Sequence, residues 1–178
     1  MTVQDIEKES HDLLFGVRRS VRYHNRRRMF FDRIHKITVS LSLIFGSATV
    51  AVALSKIGSP WVSICAALVS VFAAIDLVFD APQYARSHND LARRFIDLER
   101  KIVILPALTE ENIRYFTSKR LEIEADEPPV LRILNILCHN ELMKAMGYPD
   151  KDLIPIPRCK RILCHFFDLN DSSIKGSA

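Results

Sequence analysis

Few side chains in this sequence stand where they could do chemistry, and the sharpest is Asp76. It lies at the end of an uncharged apolar stretch, fifteen positions past Trp61, about 22 Å along a helix. An ionisable residue in such a setting marks either an ion path or a buried ion pair. Arg33 and Lys36 sit just before an earlier apolar stretch, within reach of Asp76 if the two stretches fold back on each other. Asp80 follows one helical turn after Asp76. Copies of the chain around an axis would therefore present carboxylate rings that favour cations. On the residues alone, the structural pair and the ring both stay open.

The remaining reactive residues do not assemble into a catalytic pattern. Cys138-His139 and Cys164-His165 are adjacent pairs with Cys159 between them, and none has the two-residue spacing of a zinc site. No nucleophile elbow, phosphate-binding loop or dinucleotide fingerprint occurs. The reading is therefore no enzyme, no metal and no cofactor. His24 and His88 are placed to hydrogen-bond across two helices, and a polar His88 within an apolar stripe would fix register. The Tyr23-to-Arg28 segment reads as too polar for a core. Its Arg26, Arg27 and Arg28, with Arg93 and Arg94, are candidates for contact with lipid phosphates or another anion.

The elements that must position these groups start from two apolar runs, Ile37–Ser55 and Ile57–Ile75, each of 19 residues and parted by Lys56 alone. Each is long enough to cross a hydrocarbon core of about 30 Å. Ser55-Lys56-Ile57-Gly58-Ser59-Pro60 carries strong turn chemistry. The prediction is a transmembrane hairpin over residues 37–79, with spans at about 37–55 and 61–79. The alternative, a hairpin inside a soluble bundle, would need two long uncharged stretches side by side in one core.

Within about 20 residues of the runs, eight basic residues precede the first, five follow the second and one lies between them, which places both termini in the cytoplasm. The net charge of +4 is concentrated beside the runs, where anionic headgroups account for it, so no nucleic-acid partner is expected. No secretory signal is read, since the first apolar run begins only after a long charged stretch. Cysteines in a reducing compartment are not expected to form disulfides.

Small residues recur at four-residue spacing in both spans, at Ser42 and Gly46 in the first and at Ala66, Ser70 and Ala74 in the second. Such faces let helices approach closely in lipid, within the hairpin or between copies. Residues 1–36 read as a long cytosolic helix with an apolar stripe at Leu14, Val17 and Val21, resumed at Phe30, Phe31 and Ile34. Residues 80–148 read as a cytosolic helical bundle. Pro82 marks a kink or fresh start. Tyr84, His88, Leu91, Phe95, Leu98, Ile102 and Leu105 then form a heptad stripe that must pack on the N-terminal helix or on another copy. Thr109 caps a further helix running to about Asp126. Another follows Pro128-Pro129 and stops at Gly147. Residues 149–178 read as a proline-rich linker and a basic, aromatic segment that either lies on anionic lipid or closes the bundle.

Tyr23-His24, Arg26 and Phe30-Phe31 before the first span, and Ala74-Ile75-Asp76-Leu77-Val78-Phe79 at the end of the second, form a pattern with Arg86, His88, Leu91, Arg93-Arg94, Phe95 and Leu98. Over residues 10–105 this resembles the SLATT family, small two-helix membrane proteins associated with SMODS nucleotidyltransferases and SLOG-domain proteins. The resemblance implies an all-α membrane protein that assembles as a homo-oligomer in the bacterial inner membrane. It implies an effector that forms pores or otherwise disrupts the bilayer during antiviral defence. The trigger would come from a separate nucleotidyltransferase or SLOG-type sensor, or from a second-messenger nucleotide. A non-conducting membrane anchor, whose cytosolic helices recruit a partner protein, is the alternative.

Overall fold

The computed structural model describes residues 2–54, 60–166 and 168. Regular structure among them is helical: α1 (Val3–Leu54), α2 (Pro60–Phe79), α3 (Ala81–Val103), α4 (Glu110–Glu124), α5 (Arg132–Ala145) and α6 (Arg158–Leu163), with a 3-10 turn at Asp150–Asp152. The expected turn at residues 55–59 lies outside the described residues, as do Phe167 and residues 169–178.

Local chemistry explains most helix limits. α1 runs 52 residues because the chain has no proline before Pro60. Pro60 then opens α2, at a first-turn position where its missing N–H costs nothing. Asp80 takes a left-handed φ of 38° and divides α2 from α3, the break read from Pro82. Aspartate is among the few residues that tolerate this region. Thr109 caps α4 through a reciprocal pair with Asn112. Gly147, at φ 83°, supplies the left-handed residue just beyond α5. α3 ends at Val103, ahead of the expected Pro106: the Leu105 N–H turns to the Ile102 carbonyl in a tighter bond, and Pro106 has no N–H with which to continue the helix.

Packing divides the chain into two units, residues 1–27 with 88–178 and residues 28–87. In the first, Leu91, Phe95, Leu98 and Ile102 of α3 meet Leu13 and Val17 of α1 and Phe116 and Ile123 of α4. The heptad stripe thus finds the N-terminal helix of its own chain. Each large apolar side chain buried here contributes about 1.5–3 kcal/mol relative to exposure. A second cluster joins Tyr23 of α1 to Ile133, Leu134, Leu137 and Cys138 of α5 and to Cys164 beyond α6. The proline-rich linker is tied down by Asn140, whose amide donates to the Ile154 carbonyl at 2.7 Å and accepts from its N–H at 3.0 Å. Cys164 is fully buried while Ile162, Leu163 and Phe166 are exposed, so the C-terminal segment closes the bundle with one side only.

The second unit has a small core, Phe31 with Ala81 and Ala85, flanked by Phe30 and Ile34. Phe31 stacks on Tyr84 with centroids 5.1 Å apart. Farther along, Phe45 stacks on Phe72 at 6.0 Å. The apolar windows of α1 and α2 are otherwise uncovered, with 6% of the first and 0% of the second buried. Both helices are long and apolar enough to cross a membrane.

Because Asp80 sits in the left-handed region, Asp80→Gly should leave thermal stability unchanged or raised. Asp80→Val should lower it by about 1–2 kcal/mol, read from circular dichroism melts of the detergent-solubilised chain.

Candidate functional site

Two polar clusters stand out, one in each unit. In the first unit, α1 brings His24 and α3 brings His88 to the same level, and their Nδ1 atoms lie 2.9 Å apart. Both rings are 1% exposed. His24 also reaches Glu127, in the connection between α4 and α5, with Nε2 3.0 Å from Oε1. A carboxylate only accepts, so His24 Nε2 carries a proton. While His24 is neutral its Nδ1 must accept, and the proton between the rings then belongs to His88 Nδ1. The three side chains form a directed chain from His88 through His24 to Glu127. Phe95 stacks on His24 at 5.6 Å and 12° between planes, and Tyr23 meets both imidazoles edge-on.

Two imidazolium rings cannot share that contact, since both Nδ1 atoms would then be donors. Burial, then the charges of His24 and Arg27, push the His88 pKa down to about 3. His88 therefore stays neutral at any ordinary pH.

Setting the Tyr23–Arg28 segment outside the core is corrected here: Tyr23 and His24 are 3% and 1% exposed. The Tyr23 hydroxyl and both His24 ring nitrogens find partners, which removes the cost of burying them. The Tyr23 hydroxyl accepts from the Leu131 N–H at 3.0 Å, at the start of a helix that has no side-chain cap of its own. Burial pushes the Tyr23 pKa up, so the phenol stays protonated. Arg26 pairs with Glu141, its Nε donating to Oε2 at 3.1 Å, and Arg27 donates to the His165 carbonyl at 2.7 Å. These two arginines, candidates for lipid or anion contact, hold α5 and the C-terminal segment instead. Arg94 bridges to Asp126 at 2.6 Å. Arg93 is exposed, and Arg28 is half-buried in the second unit.

In the second unit, Asp76 is held by His35, which donates through Nδ1 to Oδ1 at 3.0 Å. The Thr38 hydroxyl, with one proton to give, stands 3.2 Å from the same oxygen and 2.9 Å from the His35 carbonyl. The partners expected from sequence, Arg33 and Lys36, are exposed and make no such contact. Asp80 lies exposed at the helix junction. His35 went unread because a histidine is a weaker sequence signal than two flanking cations. Ser70 donates to the Ala66 carbonyl of its own helix at 3.0 Å, which satisfies it without a neighbour. Ala66, Ser70 and Ala74 are exposed and Ser42 is half-buried. No atom lies within 4 Å of where a Gly46 side chain would begin.

The cysteines are free, and burial pushes the Cys138 thiol up to about 12, which leaves it inert. Among the described residues no group of three or more His, Cys, Asp or Glu side chains is arranged to hold a metal ion.

Two outcomes follow for the histidine cluster. Folded His88 takes a proton near pH 3, whereas the unfolded residue does so near 6.5. Between those values the unfolded chain binds more protons, so stability is full above about pH 6.5 and falls as pH drops. Thermal melts from pH 7 to 4 should show this decline. His88→Asn, whose amide can donate to His24 without titrating, should flatten it. Tyr23→Phe, which leaves the Leu131 N–H without its acceptor, should cost about 1–2 kcal/mol in the same melts.

No protein-family model, curated protein or solved structure matches the chain.

Proposed function

We propose that this chain is a membrane effector whose two apolar helices span the inner membrane as a hairpin and assemble with other copies into a pore or a bilayer-disrupting complex. The observation that carries the reading is the uncovered apolar surface of α1 and α2. Leu43 is 72% exposed, Trp61 66% and Leu77 82%. Surfaces of this extent are costly in water and ordinary in lipid. A soluble helical core would have covered them. The hydroxyls of Ser47, Thr49 and Ser70 each donate to a carbonyl of their own helix, as backbone-satisfied helices in hydrocarbon require.

Two helices enclose no aqueous path, so conduction requires several copies around an axis. The exposed Ala66, Ser70 and Ala74 and the open surface at Gly46 supply faces for close helix approach between copies. Resemblance to the SLATT family supports the effector role and its trigger by a separate sensor, nucleotidyltransferase or nucleotide. The residues that carry it include Tyr23, His24, His88 and Phe95, all buried here. Both termini lie in the cytoplasm in this reading, with the first unit as the cytosolic bundle. A change in packing around His24 and His88 is the proposed switch.

One observation favours the second reading, a non-conducting anchor that recruits a partner protein. Asp76 is engaged by His35 and Thr38, which suits a structural pair better than a carboxylate ring.

Purified protein in liposomes separates the two. An effector releases ions or dye once triggered and depolarises cells that express it, and Gly46→Leu abolishes both while preserving helicity and expression. Liposomes that stay sealed under every candidate trigger, together with harmless expression and co-purification of a soluble partner, would establish the anchor instead.

A further inference from the structure

A cavity of about 340 Å³ opens in the first unit beside the histidine cluster. Arg19, Ser20 and Tyr23 of α1 line one side, and Asn135 of α5 and the Pro128-Pro129-Val130 turn line the other. Its size falls in the range of small-molecule sites, which combine apolar walls with a few polar groups that fix orientation.

One polar group on this wall is unusual in what it fails to do. The Arg19 Nε is buried and has no hydrogen-bond partner among the described residues. Neighbouring arginines behave otherwise: Arg18 pairs with Glu99 at 2.7 Å and Arg120 with Glu124 at 2.6 Å. The Ser20 hydroxyl and the Asn135 carboxamide also line the cavity. Two carboxylates border the cavity, and each is already committed, Glu124 to Arg120 and Glu127 to His24. Burial first, then the like charge of Arg120, weigh against the charged form of Arg19. A guanidinium nevertheless stays protonated in proteins. Glu124 and Glu127 favour its charge from nearby without bonding to it, and an acceptor placed against the buried Nε supplies the hydrogen bond they do not.

We propose that this cavity binds a small organic acid, a carboxylate or a phosphate monoester, with the acid group held by Arg19, Ser20 and Asn135. The body of the ligand would lie against the Tyr23 ring and the Pro128-Pro129-Val130 turn. A planar, forked guanidinium suits either acid through two parallel hydrogen bonds. Glu127 belongs both to the cavity wall and to the chain that ends at His88, so an occupant would sit beside the polar centre of this unit. The site does not depend on whether α1 and α2 conduct.

The test is calorimetric titration of the full-length protein in detergent with phenyl phosphate, benzoate and benzylamine. Saturable binding of either acid at millimolar concentration or below is expected, without binding of the amine, and the tighter acid identifies the head group. Arg19→Gln should weaken it about tenfold or more, Asn135→Ala should weaken it less, and Arg93→Gln, at an exposed arginine away from the cavity, should leave it unchanged. If circular dichroism shows that Arg19→Gln does not fold, Asn135→Ala and Ser20→Ala carry the test. Absence of binding by both acids overturns the inference. So does binding of benzylamine in their place, binding that survives the cavity substitutions, or an equal loss in Arg93→Gln.

Discussion

The first unit is organised by one hydrogen bond between two buried imidazoles. His24 and His88 can share a proton only if their helices sit at one register, since a slip of a single residue would point at least one ring away from the other. The penalty for leaving either ring unpaired in a dry interior then enforces that register. Apolar contacts along the heptad stripe are non-directional and tolerate sliding, whereas this contact does not. Glu127 extends the constraint to the connection between α4 and α5, so three separate stretches of chain are positioned around a single pair of rings.

Once His24 is fixed, its neighbours on α1 acquire defined tasks. Tyr23 receives the N–H of Leu131 just before α5, Arg26 holds Glu141 farther along that helix, and Arg27 holds the carbonyl of His165. The most basic stretch of the sequence thereby becomes the seam along which α5 and the C-terminal segment attach. Arg19, a turn earlier on the same helix, has a buried Nε with no hydrogen-bond partner among the described residues, and that difference sets its cavity apart from the seam.

The second unit follows a different logic. Its core is a few side chains around Phe31, and its long helices keep their apolar surfaces outward. The polar contact between them is Asp76 with His35 and Thr38, of which Thr38 is buried and the other two are half-exposed. Apolar surfaces turned outward, with the one charged group of α2 paired across the helices, are the pattern expected of helices whose solvent is lipid.

By itself the sequence determined what depends on residues close together in the chain. Helicity over residues 3–54 follows from the absence of proline, the start of α4 from Thr109 and Asn112, the end of α5 from Gly147, and the break before α3 from Asp80 and Pro82. The apolar stripe of α3 was legible as well, because periodicity is a local property. Tertiary structure decided which helix met that stripe and which polar residues went inside. His24 and His88 are 64 positions apart, His24 and Glu127 103 apart, and His35 and Asp76 41 apart. A tyrosine and a histidine beside three arginines look like surface when each is weighed by its own polarity. Whether a polar group can be buried depends on the partner it meets, and at these separations only the folded chain supplies that partner.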